Sequence, residues 1–202
     1  MTSRYSRSAF ALIFAASLVG CVQTSLSAMK SPELGARQFS SVVVFVKLRD
    51  LDLRRQAEDA FAALSTKRTR FVQAYTLFFP GQTYSDEQMA EMLAAKGMDA
   101  TLVISLDKAG AETTQTQADE TSTCTSEVNG VCEQVSTTGS GGYEINKPWA
   151  SYSIRMTDAK TGQVVWVAST NSGGNAFSSQ SDLLQSVAQN AVQKLTADSV
   201  IR

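Results

Sequence analysis

Ser41-Val-Val-Val-Phe-Val-Lys-Leu48 is the stretch that decides the fold. Apolar, mostly β-branched residues follow one another without polar alternation, so both faces of a strand here need cover. That pattern predicts a central strand of a sheet packed on two sides. Downstream, Asp52 reads as a helix N-cap, and Leu53, Ala57, Ala60, Phe61 and Leu64 recur at helical spacing. Phe71 to Phe79 reads as a second strand, stopped by Pro80-Gly81. Ser85 with Gln88 forms a capping-box pattern, and Asp86 and Glu87 suit the first helical turn. Met89, Met92 and Leu93 give that helix an apolar stripe, and Gly97 is a stop signal. Thr101 to Leu106 is a third strand. The order β-α-β-α-β predicts parallel strands joined by right-handed crossovers.

The character of the chain then changes. Residues 111–142 contain no Lys or Arg, and 12 of the 32 are Ser or Thr. Such a composition does not build a core. Asn129-Gly130 is a hairpin signal, so an exposed hairpin or loop is expected, ending in Gly139-Ser-Gly-Gly142. From Trp149, Tyr152, Ile154 and Met156 alternate with polar residues. Asp158-Ala-Lys-Thr-Gly162 is a turn, Val164 to Val167 the returning strand, and Ser172 to Asn175 a loop. Leu183, Leu184, Val187, Ala188, Ala191, Val192 and Leu195 form a last helical stripe. The expected fold class is α/β, a mixed sheet of about five strands with three helices. It forms a single domain over residues 41–202, in the order β-α-β-α-β-(loop or hairpin)-β-β-α, with a polar insertion over 108–147.

Upstream of the domain, Arg4 and Arg7 precede the apolar run Ala9 to Val19. That run is shorter than the roughly 20 apolar residues needed to cross a bilayer, but it suits a signal-peptide core. Leu18-Val19-Gly20-Cys21 closes it and resembles the bacterial lipobox. The resemblance implies a signal peptide over residues 1–20, cleavage before Cys21, and a diacylglyceryl group on the Cys21 sulfur. It also implies acylation, as by palmitate, of the new amino terminus. The plainer alternative is a secreted protein with a cysteine at its cleavage site. Val22, in place of Asp, favours by the same resemblance the outer membrane, on its periplasmic face. Residues 21–40 read as the lipidated cysteine followed by a tether, reaching at most about 60–70 Å.

Composition narrows the function. The chain carries 18 basic and 19 acidic side chains and no histidine. Removing residues 1–20 leaves 16 basic against 19 acidic, a weakly acidic balance without the footprint of a nucleic-acid binder. Lacking His, the chain cannot carry Ser-His-Asp or Cys-His catalysis or an imidazole zinc site. No catalytic residues, metal ligands or cofactor are assigned. Asp50, Asp52, Asp86, Glu87 and Asp158 all fall at helix starts or turns, where capping accounts for them. Lys67, Arg68 and Arg70 form a basic cluster best read as a solvated loop. Phe79 and Tyr84, beside Pro80-Gly81, are either core or anchors for a partner. Trp149 and Trp166 are either core or rim.

Cys124 and Cys132 are the remaining thiols, and an oxidising periplasm favours a disulfide between them. A regular hairpin turning at Asn129-Gly130 opposes that pairing, since it sets Cys132 opposite Glu127 and Cys124 opposite Val135. Both readings stand at this point.

Lys147-Pro-Trp-Ala-Ser-Tyr152, Asp158 to Gly162, Val165-Trp166 and the last helix resemble the C-terminal half of Gram-negative envelope lipoproteins. With the β-α-β-α-β opening, the pattern is similar to the α/β lipoprotein architecture of the curli-secretion subunit CsgG, the synthase activator LpoB and the amino-terminal domain of TolB. Such a resemblance informs fold, not function. The expected function is a membrane-anchored, non-catalytic binding or assembly module whose partner is an envelope protein or glycan. The alternatives are a subunit of a multimeric secretion complex, self-associating as a homo-oligomer, and a periplasmic binder of small molecules or glycans.

Overall fold

Strand β2, Ser41–Lys47, lies inside a six-stranded sheet, between β3 (Arg70–Gln73) and β4 (Ala100–Gln115), and is parallel to both. This computed structural model describes residues 22–115 and 144–202 in full, and 120–128 and 131–139 as backbone. The sheet order is β1-β8-β7-β4-β2-β3, with β1 at Gln23–Lys30, β7 at Glu144–Asp158 and β8 at Val164–Gly173. Helices α1 (Leu51–Ala63) and α2 (Asp86–Ala95) connect the parallel strands, and α3 (Gln180–Ala197) follows the β7–β8 hairpin. Strands β5 (Glu120–Val128) and β6 (Val131–Gly139) pair with each other in a separate two-stranded sheet.

The run that predicted a doubly covered strand behaves accordingly. Val42, Val44 and Val46 point into a core shared with Ala57 and Phe61 of α1 and Leu183, Val187 and Leu195 of α3. Val43 points the other way, into a smaller core with Ala74, Phe78, Leu93 and Met98. Phe45, Met89, Met92 and Tyr84 pack against that second core. Burying each such Val or Leu contributes about 1.5–3 kcal/mol. Alternation along β7 serves the larger core: Tyr152, Ile154 and Met156 are buried while Ser153 and Arg155 are exposed.

Local signals explain the element ends. Ser85 Oγ accepts from the Gln88 amide at 3.2 Å and Gln88 Oε1 accepts from the Ser85 amide at 2.9 Å, a reciprocal cap for α2. Asp50, rather than Asp52, caps α1, accepting from the amides of Asp52 and Leu53. Both acids suit the position, and the chain enters the helix two residues earlier than a cap at Asp52 implies. Gly162, at φ 70°, closes the β7–β8 turn in a conformation that side chains with a Cβ disfavour.

Three expectations need correction. The stretch 71–79 is not one strand: β3 ends at Gln73, and a short 3-10 turn over Ala74–Thr76 follows. Glu58 explains the break, because it accepts from the Tyr75 amide and draws the chain out of the sheet. The count of about five strands becomes six in the main sheet. The sixth is β1, and it overturns the tether over residues 21–40. Gln23–Lys30 pairs antiparallel with β8 along its whole length. Its inward residues Leu26 and Ala28 are small or few, so alternation there is faint, yet both pack on the core. Pro32–Leu34 forms a 3-10 turn capped by Ser31, and Leu34 and Phe39 are buried. The folded domain therefore begins at residue 22 or 23, not 41.

Candidate functional site

Strand direction fixes what shares an end of the sheet. The C-terminal ends of β2, β3, β4 and β8 and the N-terminal ends of β1 and β7 fall together. At this end Gln23 of β1 is in register with Gly173 of β8, and Gly173 with Trp149 of β7. Gly110 of β4 continues the row, and the Trp149 indole lies over it: a Cβ on Gly110 would come within 2.8 Å of Trp149 Cζ2. Trp149 is 40% exposed. The loop after β8 is held by Gly174 N–H donating to Pro148 O at 2.8 Å, and by the Asn175 side chain, whose Oδ1 accepts from the Phe177 amide. It presents the Phe177 ring 91% exposed.

Beyond β8, strands β4 and β7 continue as a two-stranded ribbon from Ala111 and Pro148 to Gln115 and Glu144. Its side chains are mostly polar and exposed, apart from Ala111 and the half-buried Ile145 and Pro148, with Thr113 donating to Asn146 and Gln115 to Glu144. Most of the polar insertion is thus β-structure, extending strands of the core sheet on its near side.

On the β2–β3 side of the same end, Leu51, Tyr75, Phe79 and Pro80 line a cleft of about 320 Å³ with Asp52, Arg54 and Arg55. Phe79 is 74% and Leu51 61% exposed. Of the two aromatics read as core or anchor, Phe79 is therefore open to solvent. Tyr84 is half-buried, edge-on to Phe78, with its hydroxyl accepting from the Phe79 amide and donating to Gln82. Behind the cleft residues Arg54 and Tyr75 lies Glu58, which is fully buried. Its Oε1 accepts from the Val46 amide at 3.3 Å and from Arg54 Nε at 3.1 Å, and its Oε2 accepts from the Tyr75 amide at 3.0 Å. Asp59 beside it accepts from Tyr75 Oη at 2.6 Å, and that bond to a carboxylate raises the Tyr75 phenol above its ordinary range. Glu58 thus pins α1, β2 and the chain after β3 together, and it presents Arg54 to the cleft.

The third surface is the sheet face opposite α1 and α3. Helix α2 packs on it through Met89, Met92 and Leu93 against Val43, Phe45 and Val72, and borders a groove with Thr101 and Val103 of β4 and Thr157 of β7. Across the other strands Ser27, Ser169, Ser153 and Ser105 stand in one row, in register from β1 to β4, with Ser25, Asn171 and Ser151 in the next. These side chains are exposed or half-exposed, so the two rows are polar.

Sequence-assigned residues are distributed as follows. Leu18, Val19, Gly20 and Cys21 lie outside the described residues, as does the Asn129-Gly130 turn. The side chains of Cys124 and Cys132 are outside them too. The backbone register of β5 and β6 sets Cys124 opposite Val135 and Cys132 opposite Glu127. Lys67, Arg68 and Arg70 are exposed, at the far end of the sheet from Gln23. Trp166 is core, its Nε1 donating to Asp198 at 2.9 Å, whereas Trp149 is rim. Asp158 opens the β7–β8 turn, buried and ion-paired with Arg37. Among the described residues no group of three or more His, Cys, Asp or Glu is arranged to hold a metal ion, and no helix is long and apolar enough to cross a membrane.

Phe177, Arg54 and Glu58 were not singled out from sequence. Phe177 carried a signal, a lone aromatic inside the small polar run Ser172 to Ser179. Glu58 carried little, since an acid four residues after Arg54 usually marks a solvated helix face.

No protein-family model and no curated protein matches the chain. Among solved structures it is similar to the PelC dodecamer from Paraburkholderia phytofirmans, at 15% identity and a TM-score of 0.45, over 89% of this chain and 99% of that one. It is also similar to lipoprotein GNA1162 from Neisseria meningitidis, at 16% identity and a TM-score of 0.41, over 78% of this chain and 99% of that one. The hypothetical protein CT253 from Chlamydia trachomatis follows at 12% identity and a TM-score of 0.35, over 79% and 95%. At these values no family assignment follows.

Proposed function

We propose that this chain is an exported lipoprotein, cleaved before Cys21, held by lipid on the periplasmic face of the outer membrane, and acting there as a non-catalytic binding or assembly module. The observation that carries the reading is the placement of Leu18-Val19-Gly20-Cys21, after a basic and apolar leader, two residues ahead of the first strand. An anchor set there serves to hold a folded body at a membrane. What that body offers is surface: polar rows on the sheet face, a mostly polar β-ribbon and a rim of exposed aromatic and aliphatic side chains. Among the described acids, Asp50, Glu58, Asp158 and Asp198 are engaged in caps and pairs.

The test is chemical crosslinking and pull-down from intact cells, with the full-length protein beside a Cys21→Ser form. Capture of one envelope partner by the wild-type form alone supports an anchored assembly module. Equal capture by both forms, or turnover of a substrate by a soluble form spanning residues 22–202, contradicts it.

A second reading, a subunit of a homomultimeric assembly, is favoured by the outer edge of β1. Eight residues long, that edge pairs with β8 on one side only, and an open strand edge is a template for another chain. Sedimentation of the lipidated protein in detergent separates the two readings: a single discrete oligomer supports the second, and a monomer excludes it.

A further inference from the structure

We infer that the end of the sheet formed by Gln23, Gly173, Trp149 and the Phe177 loop rests on the lipid surface, with the Phe177 ring entering the boundary between headgroups and acyl chains. The inference rests on the lipid anchor proposed above and adds an orientation to it. Two peptide units separate Cys21 from Gln23, a reach of at most about 7–8 Å. Gln23 is not free to swing, because β1 is paired with β8 from its first residue. A lipid on Cys21 therefore holds this end of the sheet, and no other, at the membrane.

The surface found at that end suits the position. Phe177, at 91%, is the most exposed large apolar side chain among the described residues, and Trp149 lies one strand beyond Gly173. The segment from Asn171 to Ser179 contains no charged residue, so its approach to lipid strips no charge of water. The opposite end of the sheet is rich in charge, with Arg37, Lys67, Arg68, Lys96 and Lys160 before or between its strands. Along the near end, charge stands at Asp107 and Lys108 of β4, on the β4–β7 ribbon, and past β2 at Lys47, Arg49 and Asp50. The β4–β7 ribbon also leaves the sheet here, and its Glu112, Glu144 and Lys147 suit headgroups and water rather than hydrocarbon. Aromatic side chains favour the headgroup–acyl boundary, the zone into which amphipathic helices bury their apolar face by about 5–10 Å.

The test uses the full lipidated protein in vesicles of phosphatidylethanolamine and phosphatidylglycerol that carry spin-labelled phospholipid. A Trp149→Phe/Phe177→Trp variant places one exposed indole at the loop, while buried Trp166 supplies a constant background that also reports folding. A Trp149→Phe/Val164→Trp variant places the indole at the opposite end. The expected result is that shallow spin labels quench the indole at 177, and that vesicle insertion shields it from aqueous acrylamide. The indole at 164 should show neither effect. An indole at 177 that stays open to acrylamide and silent to the spin labels overturns the inference. Intact mass of the same samples separates the two failures. An acylated Cys21 with an unquenched indole at 177 leaves the anchor standing and removes the orientation, whereas an unacylated Cys21 removes both.

Discussion

Gln23 of β1 stands in register with Gly173, the last residue of β8. The chain thus enters the sheet directly after Cys21. Residues 22–40, polar and weakly periodic, are structural: Leu26 and Ala28 pack on the core, and Lys30 Nζ donates to the Asp198 carbonyl at 3.3 Å. Leu26→Ala should lower stability by about 1–3 kcal/mol, the range for truncating a partly buried leucine. Urea denaturation checks it. No change in midpoint would mean that β1 adds nothing to the domain.

Glu58 is the most consequential polar residue of the interior. Replacing it with Ala leaves the Val46 and Tyr75 amides and the Arg54 guanidinium without their acceptor. The loss should be about 3–5 kcal/mol, as for one partner removed from a buried pair. Glu58→Gln keeps one acceptor oxygen and should cost less. Denaturation of the two variants side by side tests this, and equal losses would show that packing, not hydrogen bonding, sets the role of the residue.

Two carboxylates connect stability to acid. Burial acts to raise Asp99, but donation from Ser40 Oγ and from the Ser40 and Ser41 amides outweighs it and holds the group below its ordinary value. Asp198 is likewise held low against its own desolvation, by Lys194 Nζ at 2.5 Å and Trp166 Nε1 at 2.9 Å. A carboxylate with a depressed folded pKa contributes stability that is present above its unfolded pKa, about 3.9. That contribution is lost as pH falls through the lower folded value. The melting temperature should therefore hold above about pH 5 and fall below about pH 4. Asp198→Asn should be less stable than wild type at pH 7, with the gap closing at pH 3. A gap independent of pH would contradict the assignment.

Gly110 is where an absent side chain matters, because the Trp149 ring occupies the space of its Cβ. Gly110→Ala should push the indole outward at a cost of about 1–2 kcal/mol, with a red shift of Trp149 emission. Emission unchanged from wild type would mean that the ring does not rest there.

Much of the fold was legible because burial writes itself into the sequence where it is deep. Val42 to Val46, the β7 alternation and the α3 stripe each bury a full face, and Ser85 and Gln88 announced the start of α2. The edge was not legible. Strand β1 packs only Leu26 and Ala28, both partly buried, against the core, and its outward residues are Gln, Ser and Met. The break after β3 depends on Glu58, which acts across 17 residues of chain on the Tyr75 amide and leaves no local mark. Of the candidate surfaces, Phe79 was visible beside Pro80-Gly81. The sheet-end grouping of Phe177, Trp149 and Gln23 was not, since it exists only once the register of three strands is known.

The measurement to make first is the mass of the N-terminal peptide from protein extracted from membranes. A mature chain that begins at Cys21 and carries diacylglyceryl and acyl groups is the expected product. A chain that retains residues 1–20, or that begins at an unmodified Cys21, would contradict the membrane-anchored reading on which the proposed function and its orientation rest.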